Sequence, residues 1–281
     1  MMTSEENTIW DKLQRIPREI LYLLVIISMI IPLLNPLGLP IPISPQTRTL
    51  YDSLDALQPG DVFVQFVDYS AGSMSFHEPG FIAVTYKAVN KGAKLVMLSS
   101  SVEGPMMYEI AINKMKPFLD NAGYVYGEDY VYLGYTAGAE TALAAVASNI
   151  RSVYSTDQYG TSLEDLQLME NVNNHADFTM LISYTMGSPE SFVRQFNTQY
   201  GVITHIHCGE MMTPTILPFW ASGQITGLLN GGVGAAEIEV LVNRPGDAVK
   251  LTDVYSFSNL IVFAFLIIGN IGFIMKGRMK G

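Results

Sequence analysis

The chain has 281 residues, a net charge of −10, 49% hydrophobic residues and a single cysteine, Cys208. An acidic balance of this size argues against DNA, RNA or an anionic lipid surface as the main partner. One cysteine leaves no intrachain disulfide, so stability has to come from an ordinary hydrophobic core.

The first element is an apolar stretch from Ile20 to Leu39, preceded by Lys12, Arg15 and Arg18. A bilayer core of about 30 Å needs ~20 apolar helical residues, and this stretch supplies them. The following NPLGLPIPISP has no small-x-small cleavage site and is crowded with prolines, which favours an uncleaved anchor over a signal peptide. Pro32 and Pro36 predict a kinked or shortened helix. A second apolar segment spans 254–275 and is followed by Lys276, Arg278 and Lys280. Basic residues on the terminal side of both segments put both chain ends in the cytoplasm. The expected plan is a cytoplasmic tail at 1–19, a transmembrane helix at 20–39, an extracytoplasmic domain at 40–253, a second transmembrane helix at 254–275 and a tail at 276–281. The domain carries 10 Lys and Arg against 22 Asp and Glu, which suits cationic ligands, divalent ions or simple solubility.

Within it, strands alternate with helices. Asp61–Tyr69 reads as a first strand and Pro79–Asn90 as a helix; Lys94–Ser100 is a second strand and Pro105–Asn121 a second helix. Tyr130–Tyr135 is a third strand, followed by the alanine-rich helix Ala139–Ile150 and a longer excursion over Arg151–Asp177. Phe178–Tyr184 is a fourth strand, Ser188–Tyr200 a helix opened by Ser188 and Pro189, and Val202–Cys208 a fifth strand with a helix from Pro214. The fold class is therefore α/β: a five-stranded, mainly parallel Rossmann-like or flavodoxin-like sheet covered by helices on both faces, flanked by N- and C-terminal transmembrane helices.

In such a sheet the strand-to-helix loops gather at one edge, where ligands bind near a switch in strand order. Those loops carry Asp68, Ser73, Ser100, Glu103, Thr136, Gly138, Glu140, Ser183 and Glu210, a rim of carboxylates and hydroxyls without convergent Lys or Arg. This composition fits a small polar solute held by hydroxyls, carboxylates and helix N-termini. Turn filling and helix capping by serine and glycine explain it equally simply. Glu140 near a helix start would repel a phosphate, and Gly134-x-x-x-Gly138 is not the dinucleotide fingerprint.

His205 and His207 alternate on one strand and so share a face; with Glu210 they are the candidate ligands of a divalent metal. Packed or surface histidines are the plainer reading, since no third ligand stands at motif spacing. No G-x-S-x-G elbow is present, and Cys208 lacks the companion motifs of a catalytic cysteine. The glycine-rich tract Gly227–Ala236 allows close backbone approach, either to another protomer or within the chain, and also allows a flexible joint. The scattered methionines read as core filling.

The blocks YGEDYVYLGYTAGAE (Tyr126–Glu140), NIRSVYSTDQYGTSLEDL (Asn149–Leu166) and SGQITGLLNGGVGAAEIE (Ser222–Glu239) resemble an uncharacterised family of prokaryotic two-span membrane proteins with an extracytoplasmic α/β domain. The resemblance implies one intact domain between two anchors and brings no activity with it. It adds Arg151 and Asp157, which lie in the second block, to the ligand-binding candidates. Together these readings point to a membrane-anchored binding or assembly module in the cell membrane. Its partners would be the lipid bilayer, further copies of itself or other membrane proteins, and not nucleic acid. The alternative is an extracytoplasmic hydrolase, metal-assisted or not, using the rim carboxylates or the His205, His207 and Glu210 group.

Overall fold

The computed structural model describes residues 17–279, the last four by backbone alone. The tail residues Lys12, Arg15 and Lys280 therefore lie outside the described part. The chain divides into two compact units, one of residues 41–249 and one formed by the segments before 41 and after 249.

The larger unit is a three-layer α/β domain around a six-stranded sheet. Its elements are α2 (Pro45–Ala56), β1 (Val62–Asp68), α3 (Met74–Asn90), β2 (Lys94–Ser99), α4 (Gly104–Asn121), β3 (Tyr130–Tyr135), α5 (Ala139–Ser148), β4 (Met180–Thr185), α6 (Pro189–Phe192), β5 (Ile203–Cys208), α7 (Thr213–Ala221), β6 (Gly227–Asn230) and α8 (Gly231–Leu241). The spatial order is β3-β2-β1-β4-β5-β6, with every neighbouring pair parallel. This is a Rossmann-like arrangement, with its switch in direction between β1 and β4.

The strand sequences explain the layering, because alternate side chains face opposite sides. Phe63, Val67, Leu95, Met97, Tyr132, Ile182 and Leu229 bury one face under α2, α3, α4 and α8. Val64, Phe66, Val96, Leu98, Leu181, Ile206 and Leu228 bury the other face under α5, α6, α7 and the 150–172 excursion. Nearly continuous apolar strands, unlike half-buried alternating ones, are what a sheet covered on both sides demands.

The sixth strand corrects the five-stranded expectation. Gly227–Asn230 pairs with β5 from His205↔Gly227 to Cys208↔Asn230. Four residues beginning with glycine carry little strand signal. The glycine is nonetheless required there: a Cβ on Gly227 would lie 2.6 Å from the Leu50 Cα of α2. The tract continues into α8, whose Gly234 sits against the Leu229 backbone, a position where a Cβ would come within 2.8 Å. The glycines thus serve packing within the chain.

The other unit contains α1 (Arg18–Leu34), the extended segment after it, and the later part of α9 (Asp247–Met279). Among the described residues, α9 is the helix long and apolar enough to cross a membrane. At 1.5 Å per residue, the 17 residues of α1 reach only about 25 Å, and Pro32 lies inside it. Within this unit Asp253 is buried and accepts the backbone N–H groups of Leu37, Gly38 and Leu39 at 2.8, 2.9 and 3.1 Å. Ser28 and Ser258 meet at 3.3 Å. Most large side chains on both helices, among them Leu23, Ile27, Leu260, Phe263 and Ile267, remain exposed.

Candidate functional site

The site is a cleft of about 550 Å³ at the carboxyl edge of the sheet, where β1 and β4 diverge to opposite faces. Asp68 and Thr185 are register partners at the ends of those two strands. Around them the lining comprises Ser70, Ser100, Ser101, Glu140, Ser188 and Ser191, with Ala139, Leu143, Met186 and Phe192 as apolar walls. A cleft of this size is typical for a small-molecule site.

Asp68 organises the floor. Its Oδ1 accepts the Ser99 hydroxyl at 3.0 Å and the Ser100 and Ser101 amides at 2.6 and 3.1 Å, while its Oδ2 accepts the Ser100 hydroxyl at 2.8 Å. Gly104 makes this turn possible, since a Cβ there would strike Ser99 and the Val67 carbonyl. Burial raises the Asp68 carboxyl above its ordinary value, and the hydrogen bonds from Ser99, Ser100 and Ser101 only partly oppose that shift.

Glu140 forms one wall. Its carboxylate takes a two-pronged pair from Arg194, Nε to Oε1 at 2.8 Å and an Nη to Oε2 at 2.7 Å. Gln195 Nε2 adds a bond at 2.8 Å and the Ser191 hydroxyl another at 3.2 Å. The Arg194 hydrogen bond, with help from Gln195, holds the carboxyl down to about 2. Consecutive residues reach one carboxylate because Val193–Thr198 is wound as a π-helix, whose wider turn shifts the side chains. Opposite it, Gly138 and Ala139 enter α5 with φ of 119° and 45°, a left-handed conformation that costs an alanine on the order of 1 kcal/mol.

Carboxylates also occupy donors elsewhere along this edge. Glu103 accepts the Ala71 amide at 3.0 Å, and Glu210 accepts the Gly232 amide at the start of α8 at 3.1 Å. These two amides thus already hold carboxylate oxygens.

Of the sequence candidates, Asp68, Ser100 and Glu140 come together in the cleft, whereas Ser73, Glu103, Thr136, Gly138, Ser183 and Glu210 are outside its lining. Ser73 is buried in a capping box with Ser70. Ser183 is buried, and its hydroxyl has no hydrogen-bond partner among the described residues. Thr136 bonds through its amide to the Ser99 carbonyl. Arg151 is a structural clamp on the excursion, donating to the Met169 and Val172 carbonyls and to Asn173 Oδ1. Asp157 caps a turn, accepting the Tyr159 and Thr161 amides and the Tyr126 hydroxyl.

Among the described residues the histidines form no metal-holding group. His205 and His207 do share a face, but both are fully buried, and His207 packs against His77 and Gly80 of α3. His207 Nε2 meets the Gly231 carbonyl at 3.1 Å, and its ring lies 4.6 Å from that of His77. Glu210 is committed to α8, and no group of three His, Cys, Asp or Glu among the described residues is disposed to hold a metal. The expected metal grouping of His205, His207 and Glu210 is therefore corrected: strand alternation buries both imidazoles in the sheet face, and Glu210 Oε1 is taken by the Gly232 amide. Burial lowers His205 to about 3 and His77 to about 4, and pushes His207 well down, so all three are neutral at pH 7. Burial also raises the Cys208 thiol to about 11, which makes it a poor nucleophile.

Sequence reasoning missed Ser191, Phe192, Leu143 and Arg194. The first two lie one helical turn into the segment after β4, so a helix start at Pro189 was the available signal. The pairing of Arg194 with Glu140, 54 positions away, had none.

No protein-family model and no curated protein matches the chain. Among solved structures it is similar to a trehalose-6-phosphate synthase, OtsA, with 11% identity and a TM-score of 0.32 over 85% of this chain and 47% of that one. The chain thus spans about half the length of that structure, and a likeness at this level carries no functional argument.

Proposed function

We propose that this chain is a membrane-anchored module that binds a small polar solute in the cleft between β1 and β4. One observation carries the reading: a cleft of ligand size, at the switch point of a parallel sheet, has a buried and well-ordered carboxylate, Asp68, on its floor. The apolar, exposed surfaces of α1 and α9 and the basic residues beyond both segments support anchoring by two spans. In that arrangement both termini are cytoplasmic and the α/β domain is extracytoplasmic, associating with further copies or with other membrane proteins. A hydrolase working through His205 or His207 has less support, because no histidine lines the cleft.

The test is native mass spectrometry of the detergent-purified full chain, with metal analysis of the same sample. A stoichiometric small molecule that disappears in Ser188→Trp, a substitution at the exposed mouth of the cleft, supports the reading. Retention of that molecule by the variant, or a bare protein in every preparation, sinks it.

A further inference from the structure

The charge balance of the cleft narrows the ligand class. The lining contains two carboxylates and no lysine, arginine or histidine. Glu140 is already matched by Arg194. Asp68 is not: among the described residues it takes part in no ion pair, although only 8% of it is exposed.

Its hydrogen bonds are also uneven. Three donors converge on Oδ1 and one on Oδ2. An ionised carboxylate has about two acceptor sites per oxygen, so Oδ2 keeps capacity for a further donor. A carboxylate removed from water and lacking a counter-ion is costly, and an incoming cation that donates to it recovers much of that cost. Around this point Ser101 and Ser188 add small polar side chains to the lining, and Leu143, Met186 and Phe192 give apolar walls. Within the lining the Ser100 and Ser101 amides are occupied by Asp68, and outside it the Ala71 and Gly232 amides are occupied by Glu103 and Glu210.

We infer that the ligand is a small organic amine, whose ammonium group donates to Asp68 Oδ2 and whose apolar body lies against Leu143, Met186 and Phe192. The inference rests on the cleft being a binding site at all. A neutral solute would leave the buried charge without a counter-ion, and an anion would face two carboxylates. A hydrated divalent ion is best held by several carboxylates, and among the described residues no group of three His, Cys, Asp or Glu is disposed to hold one.

The experiment is calorimetric titration of the full chain in detergent with 2-phenylethylamine and, separately, with the neutral 2-phenylethanol. Inorganic phosphate and Mg²⁺ serve as further probes. We expect the amine to bind roughly tenfold or more tightly than the alcohol, as a charge-assisted bond requires. Asp68→Asn should remove that difference, and Ser188→Trp should abolish binding of both. Comparing the two probes on the unaltered protein keeps the test valid even if Asp68→Asn folds poorly. Equal binding of amine and alcohol overturns the amine assignment while leaving a binding cleft; so does preferred binding of phosphate or Mg²⁺. Should neither organic probe bind while a co-purified molecule is lost in Ser188→Trp, the amine class alone falls. If nothing binds and nothing co-purifies, the binding reading falls with it.

Discussion

Asp68 and Ser100 are joined twice, through the Ser100 amide at 2.6 Å and its hydroxyl at 2.8 Å. The last residue of β1 thereby fixes the turn that follows β2, and the floor of the cleft is set by the pairing of two adjacent strands. Asp68→Ala leaves the Ser100 amide and hydroxyl without their acceptor, while the Ser101 amide keeps Ser99 Oγ and the Ser99 hydroxyl keeps the Ser101 carbonyl. The expected loss is roughly 2–3 kcal/mol of stability, with a smaller loss for Asp68→Asn, whose amide oxygen still accepts. Denaturant unfolding of the two variants in detergent checks the order; equal stability of Asp68→Ala and the unaltered protein contradicts it.

Arg194 is the counter-ion of Glu140. Arg194→Met should return the Glu140 carboxyl from about 2 towards the ordinary carboxylate range, because its largest stabilising contact is gone. Carbon-13 NMR titration of labelled glutamate in the two proteins reads this directly. The pair is open to solvent, so little change in overall stability is expected.

The buried histidines make the fold sensitive to acid. Their folded values lie below the ordinary histidine value of 6.5, so above that pH both states are neutral and the full stability is present. Below it the unfolded chain takes up protons that the folded chain refuses until about pH 4 at His77 and about pH 3 at His205. Each histidine then costs on the order of 1.4 kcal/mol per pH unit between those limits. Asp68 and Glu239, whose carboxyls burial raises, act in the opposite sense at the acidic end. Among the described residues neither ring nitrogen of His205 has a hydrogen-bond partner. His205→Met should therefore leave stability at pH 7 unchanged or higher, and should flatten the fall between pH 6.5 and 4. A steeper acid fall in the variant contradicts this assignment.

Two glycines hold the β5–β6 side of the sheet together. A Cβ on Gly80 of α3 would sit 2.6 Å from His207 Cε1, a side-chain atom, whereas one on Gly227 would meet the Leu50 backbone at 2.6 Å. Gly80→Ala should destabilise the domain by about 1–3 kcal/mol, the usual range for overpacking a core. Gly227→Ala should cost more, because a helix backbone cannot rotate out of the way as an imidazole can. Melting temperatures of the two variants, measured side by side, should fall in that order.

Much of the sheet was legible because its signals are local. Strands β1 to β5 announce themselves as short β-branched and aromatic runs between turn residues, and each appears within two residues of its expected ends. β6 escaped because Gly227-Leu228-Leu229-Asn230 is shorter than any reliable pattern, and its identity as a strand comes from pairing with β5. The site was legible only in part. Asp68, Ser100 and Glu140 follow from the rule that loops at the carboxyl ends of strands face one edge. Arg194 depends on a π-helical turn that composition does not mark, and the fate of His205 depends on which face of β5 a helix covers.

By itself, then, the sequence determined the α/β class, the parallel strands, the two apolar segments and the carboxylate- and hydroxyl-rich edge, since these arise from periodicity and composition within each segment. Tertiary structure alone decided the strand order, the switch between β1 and β4, the pairing of Glu140 with Arg194 and the burial of the histidines. Those features are contacts between residues distant along the chain, fixed by how the sheet faces are covered, and no local pattern encodes them.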